Sequence, residues 1–116
     1  MNFNINSLYI CVTNMERALN FYETFFEKAP LVKDKIYSVF EINHFRFGLF
    51  AYQEMGESHT FGNNCLPSIE VDSIEELNYK TRNLAVCFPL THIGNNWVME
   101  FIDSEGNHIE LTTPTR

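Results

Sequence analysis

Clusters of basic residues are missing from this 116-residue chain, in which eight Lys and Arg stand against fifteen Asp and Glu for a formal charge of -7. Nucleic-acid backbones and anionic membrane surfaces both reward clustered Lys and Arg, so neither is expected as a partner. No apolar run approaches the ~20 residues that span a bilayer, and Glu16 and Arg17 interrupt the N-terminal region before a signal-peptide core can form. Cysteine is scarce: Cys11, Cys65 and Cys87 are an odd number at spacings that match no zinc or redox motif. Each lies in an apolar run, so the expectation is reduced core or pocket thiols in a cytoplasmic protein. What the chain does carry is apolar material, 45% hydrophobic and 15% aromatic, enough for one ordinary core and a single domain over residues 1–116.

Residues Ile5 to Val12 alternate as a strand, with Leu8, Ile10 and Val12 on one face and Ser7, Tyr9 and Cys11 on the other. Thr13-Asn14-Met15-Glu16 reads as a capping box opening a helix, with Met15, Ala18, Leu19, Tyr22, Phe25 and Phe26 at helical spacing and Pro30 as its end. A weaker strand is expected over Leu31 to Ile36. Next comes a hairpin, Tyr37 to Ile42 and Phe45 to Tyr52, around Asn43-His44. It sets Phe40, Ile42, Phe45, Phe47 and Leu49 against the helix and Tyr37, Val39, Glu41, Arg46, Gly48, Phe50 and Tyr52 on the opposite face. The polar stretch 54–64 is the candidate linker. Beyond it the pattern restarts: a strand from Cys65 to Val71, a helix opened by Asp72-Ser73-Ile74-Glu75-Glu76, then strands Cys87 to Ile93, Trp97 to Ile102 and Asn107 to Thr113. Val12-Thr13-Asn14-Met15-Glu16 sets over Val71-Asp72-Ser73-Ile74-Glu75, and Phe47-Gly48-Leu49 over Ile109-Glu110-Leu111. This is a twofold repeat of strand, helix and three strands: an α+β fold of two pseudosymmetric βαβββ modules, about 5–53 and 65–113.

The last hairpin, around Asp103-Ser104-Glu105-Gly106-Asn107, directs His108, Glu110 and Thr112 to one face and Ile109 and Leu111 to the other. If Ile102 pairs with His108, Glu100 lies opposite Glu110, and two carboxylates at cross-strand distance call for a cation or a ligand amine between them. Such a pair is a candidate general base and acid, or a recognition site for a basic ligand. The simpler expectation is that a one-residue register shift turns Glu100 to solvent, or that Arg46 neutralises the pair.

The repeated module, the helix start Asn14-Met15-Glu16-Arg17-Ala18-Leu19-Asn20-Phe21-Tyr22 and the hairpin Asp103-Ser104-Glu105-Gly106-Asn107-His108-Ile109-Glu110-Leu111 resemble the vicinal oxygen chelate superfamily, over nearly the whole chain. That superfamily includes glyoxalase I, extradiol dioxygenases, fosfomycin-resistance enzymes and bleomycin-binding proteins. The resemblance implies two modules whose sheets curl into a cup, often completed by a second copy of the chain. It also implies a divalent metal held by the first and last strand of each module. Those four positions fall here on Ser7, Gly48, Leu66 and Glu110. Glu110 alone is a ligand of the usual kind; Gly48 and Leu66 offer no side-chain donor and Ser7 a weak neutral hydroxyl. No metal or other cofactor is therefore expected, and the resemblance points to the non-metal branch that binds and sequesters a small molecule.

Among the four histidines, His44 lies in a turn and His59 in the linker, while His108, Glu110 and His92 could share one face as a rearranged metal site. Tyr9, Tyr37, Phe50 and Tyr52 form an aromatic face that needs a ligand or a partner subunit to cover it. Trp97, Met99 and Phe101 read as core beneath the second helix. The leading expectation is a metal-independent small-molecule-binding protein, most simply a homodimer. Its ligand would contact Ser7, Tyr9, Tyr37, Arg46, Phe50, Tyr52 and His108, with Glu110 as polar anchor. The rival is a metal-dependent lyase, isomerase or dioxygenase with Glu110 and His108 as ligands and Glu100 as base. A third reading is an interaction module whose cup is closed by its own side chains.

Overall fold

The computed structural model describes residues 1–60 and 65–115 and divides into two compact units, residues 1–60 and 61–116. Two helices and two mixed sheets make it an α+β protein. Among the described residues no helix is long and apolar enough to cross a membrane. The linker residues 61–64 lie outside the described residues.

The first unit runs β1 (Ser7–Cys11), α1 (Met15–Phe26), β2 (Tyr37–Ile42), β3 (Phe45–Phe50) and a short 3-10 helix, Tyr52–Met55. Its sheet has the order β1-β3-β2, with β1 parallel and β2 antiparallel to β3. Helix α1 is capped one residue later than the sequence pattern suggests. Asn14 accepts from the Arg17 backbone N–H at 3.0 Å, and the hydroxyl of Thr13 accepts instead from the Arg17 guanidinium at 3.1 Å. The helix also ends before Pro30, at Glu27, which takes the left-handed conformation with φ 57°. Its stripe Met15, Ala18, Leu19, Tyr22 and Phe25 is buried, as are Phe40, Phe47 and Leu49 of the sheet. Asn43 and His44 both have positive φ, as a two-residue hairpin turn requires.

The strand expected over Leu31 to Ile36 is reduced to a single bridge between Val32 and Val39. Local side-chain bonding competes with the ladder there. The Asp34 carboxylate accepts from the N–H groups of Ile36 and Tyr37 at 2.9 and 3.2 Å. Buried Ser38 donates its hydroxyl to the Asp34 carbonyl at 2.6 Å and accepts from the Asp34 N–H at 2.9 Å. Those backbone donors, Ile36 first and Tyr37 next, hold the Asp34 carboxyl below its ordinary range.

The second unit runs β4 (Ser68–Glu70), α2 (Ile74–Thr81), β5 (Ala85–Ile93), β6 (Asn96–Ile102) and β7 (His108–Pro114). The sheet order is β4-β7-β6-β5, with β4 parallel to β7 and the other pairs antiparallel. Ser73 caps α2 by accepting from the Glu76 N–H at 3.1 Å, and Glu75 and Glu76 complement the positive end of the helix dipole. The core is Leu77, Met99, Phe101, Ile109 and Leu111. Trp97, at the start of β6, is only half-buried and lies against His92, with ring centroids 5.1 Å apart.

Candidate functional site

Each sheet turns one face to its helix and leaves the other for chemistry. In the first unit, the strand registers place Ser7, Tyr9 and Cys11 of β1 beside Arg46, Gly48 and Phe50 of β3, and these beside Glu41, Val39 and Tyr37 of β2. Three of these side chains form an aromatic group: Tyr9 lies 6.0 Å from Tyr37 and 5.4 Å from Phe50, and Tyr37 lies 6.4 Å from Phe50, centroid to centroid. Tyr9 keeps half of its surface exposed. Gly48 is what lets the group close up. A Cβ there would lie 2.7 Å from Tyr37 Cζ and 3.0 Å from Tyr9 Cβ, so the Tyr37 ring fills the space of the missing side chain. Tyr52 leaves the strand for the 3-10 helix and packs on His59 at 4.8 Å, while His59 also lies 6.2 Å from Phe50. The sequence pattern, which put His59 in a linker, did not associate it with this aromatic group.

Cys11 is half-buried on the same face. Burial, and then the nearby charge of Glu57, raise its thiol above the ordinary range, so it is a poor nucleophile at neutral pH. Glu57→Gln removes one raising cause and is expected to lower that pKa, quickening iodoacetamide alkylation of Cys11 at fixed pH. Peptide-resolved mass spectrometry reads this out; an unchanged rate would deny the electrostatic coupling.

In the second unit the β6–β7 register settles the carboxylate question. Ile102 pairs with His108 and Glu100 with Glu110, so the shifted register that would turn Glu100 away from Glu110 is not adopted. Arg46 belongs to the first unit, opposite Glu41. The turn holds this register: Asp103 Oδ1 accepts from the N–H groups of Glu105 and Asn107, both at 2.8 Å, and Gly106 supplies φ 91°. Across the sheet a polar row forms. Ser68, opposite Glu110 on β4, donates its hydroxyl to Glu110 Oε1 at 2.6 Å. Ser68 was not among the candidates from sequence, because finding it requires the register of a three-residue parallel strand.

Cys87 completes the face. The β5–β6 register slips between Val86, opposite Phe101, and Phe88, opposite Glu100, leaving Cys87 as the bulged residue. Its sulfur, a Glu100 oxygen and a His108 nitrogen all lie within 4.8 Å of one another. The expectation of core or pocket thiols is thus corrected for Cys65 and Cys87, which are both exposed. Partial burial, followed by the charge of Glu100, raises the Cys87 thiol. The suggested trio of His108, Glu110 and His92 does not assemble. His92 pairs with Trp97, on the face away from Glu100, and Glu110 is engaged by Ser68.

No family model and no curated protein matches the sequence. Solved structures do. A glyoxalase/bleomycin resistance protein from Albidiferax ferrireducens is similar with a TM-score of 0.77 at 15% identity, over 93% of this chain and 97% of that one. For a glyoxalase/bleomycin resistance protein/dioxygenase family enzyme from Burkholderia phytofirmans the TM-score is 0.78 at 13% identity, over 97% and 99%. For a lactoylglutathione lyase from Agrobacterium tumefaciens it is 0.74 at 15% identity, over 95% and 92%. The chain has the vicinal oxygen chelate fold. At such identities the likeness is one of fold, and one fold of this kind hosts unrelated chemistries. Of the four positions to which the resemblance assigns a divalent metal, Glu110 alone carries a ligand of the usual kind. Leu66 is apolar, Ser7 offers a lone hydroxyl, and Gly48 has no side chain and is overlaid by Tyr37.

Proposed function

We propose that this protein binds a small aromatic or cationic molecule, without a metal at the positions where the vicinal oxygen chelate fold usually carries one. The observation that carries this reading is the Tyr9, Tyr37 and Phe50 group, held together over Gly48 and left accessible at Tyr9. Aromatic faces supply stacking area and attract cations through the ring quadrupole. Arg46 and Ser7 flank the group with polar atoms at the sheet's rim. Taken by itself, the second unit offers the Glu110 carboxylate, oriented by Ser68, which we propose as a contact for a cationic or hydrogen-bond-donating group. A second copy of the chain is the proposed partner, since Val86, Leu90 and Ile93 leave apolar side chains exposed along β5.

A thermal-shift screen of aromatic amines and quaternary ammonium compounds tests the reading, with dissociation constants then taken by titration calorimetry. Tyr9→Ala and Phe50→Ala are each expected to weaken a hit about three- to tenfold, the equivalent of one aromatic contact of about 0.5–1.5 kcal/mol. A screen in which no compound raises the melting temperature, or a hit indifferent to both substitutions, would overturn it.

A further inference from the structure

We propose that Cys87, Glu100 and His108 form a binding site for one divalent, thiophilic cation of the zinc type, distinct from the positions at which this fold usually holds its metal. This goes beyond the small-molecule reading above and does not depend on it.

The donor chemistry selects the ion. A thiolate, an imidazole and a carboxylate form a mixed sulfur, nitrogen and oxygen set that suits zinc or cobalt and discriminates against magnesium and calcium, which prefer oxygen alone. The three ligand atoms lie within 4.8 Å of one another. Bonds of about 2.0–2.3 Å in a tetrahedral arrangement bring ligand atoms to roughly 3.3–3.8 Å apart. Closing the remaining ~1 Å needs only side-chain rotation, because the three residues come from adjacent strands β5, β6 and β7, whose backbones are already paired.

Two features of the sheet favour a cation at this point. Strands β4 to β7 carry Glu70, Glu100 and Glu110 and not one Lys or Arg, so no Lys or Arg of its own sheet accompanies the cross-strand pair of Glu100 and Glu110. The β5 bulge is the second. It frees Cys87 from a cross-strand partner and gives the pairing with Glu100 to Phe88, which re-aims the Cys87 side chain. Three protein ligands leave the fourth tetrahedral position to water or to an oxygen or sulfur donor of a bound molecule, as in sites that exchange ligands rather than in closed structural ones. Exposure of Cys87 keeps that position reachable. Loading the site replaces the Cys87 S–H bond with a sulfur–metal bond and releases the proton to solvent.

Cobalt(II) is the probe: it is titrated into reduced, chelator-treated full chain without a histidine tag. One equivalent is expected to bind, with a near-ultraviolet thiolate-to-cobalt charge-transfer band and visible absorption of a low-coordinate ion. Cys87→Ser should abolish the charge-transfer band. His108→Ala and Glu100→Gln should each weaken binding at least about tenfold, since loss of a ligand costs no less than loss of a supporting group. Cys65→Ser should leave the band in place. Circular dichroism confirms that each variant is folded, and Cys87→Ser, at an exposed edge position, serves should either of the other two unfold. Absence of stoichiometric binding, a band that survives Cys87→Ser, or one lost in Cys65→Ser would overturn the proposal.

Discussion

Replacing Tyr22 by alanine is expected to lower the unfolding free energy by about 3–5 kcal/mol, the range for emptying a large aromatic site in a packed core. Tyr22 is fully buried and is the hub of the first unit's core. Its ring centroid lies 4.9 Å from Phe21, 5.1 Å from Phe47, 5.6 Å from Phe26, and 6.4 Å from both Phe25 and Phe40. Alanine there leaves rings from a helix and two strands facing a void that none of them can fill without leaving its rotamer. Urea unfolding followed by circular dichroism measures the loss. A change under about 1 kcal/mol would mean that the helix collapses onto the sheet far more readily than close packing allows.

The second large effect is expected at Asp103. Asp103→Ala removes the acceptor of two backbone N–H groups and of the Asn107 side-chain amide, which donates to Oδ2 at 3.3 Å. Asp103 and Glu105 are buried and Asn107 is half-buried, so the Glu105 N–H above all has little access to water in compensation. The expected cost is about 2–4 kcal/mol, counting roughly 1–3 kcal/mol for each orphaned buried donor with partial relaxation. Asp103→Asn keeps one oxygen able to accept both N–H groups and should cost about 1 kcal/mol, the difference between charge-assisted and neutral bonds. Denaturant melts of the two variants side by side check this. Equal losses would mean that the charge, and not the acceptor geometry, holds the turn.

Asp103 also marks the limit of what the sequence discloses. Alternation of apolar residues and the turn chemistry of Asn43-His44 and Gly106 are local signals, and they placed both helices, the strands other than the one expected over Leu31 to Ile36, and the faces of the first sheet. Register is not local. The pattern from Trp97 to Thr113 permits Glu100 to face Glu110 or to turn away, and the choice rests on the paired N–H groups at the Asp103 carboxylate. The bulge at Cys87 is further out of reach: an apolar run reads the same whether or not one residue has slipped its partner. At Leu31 to Ile36 the failure has a side-chain cause, because Asp34 and Ser38 satisfy backbone groups that a strand would have offered to its neighbour. Thr13 and Asn14 are both competent caps one residue apart, and only the geometry chooses between them.

Strand β5 is an outer strand of its four-stranded sheet, and its pairing with β6 slips twice, between Val86 and Phe88 and again between Phe88 and Thr91, with Pro89 in between. Such an outer edge is a poor template for further strands. Pro89 has no N–H to donate, and the slips twist the neighbouring donors and acceptors out of line with any straight incoming chain. A second copy of the protein meeting this edge would do so through the side chains of Val86, Leu90 and Ile93, and edge-to-edge addition of strands is interrupted at the same irregularity that turns Cys87 toward Glu100.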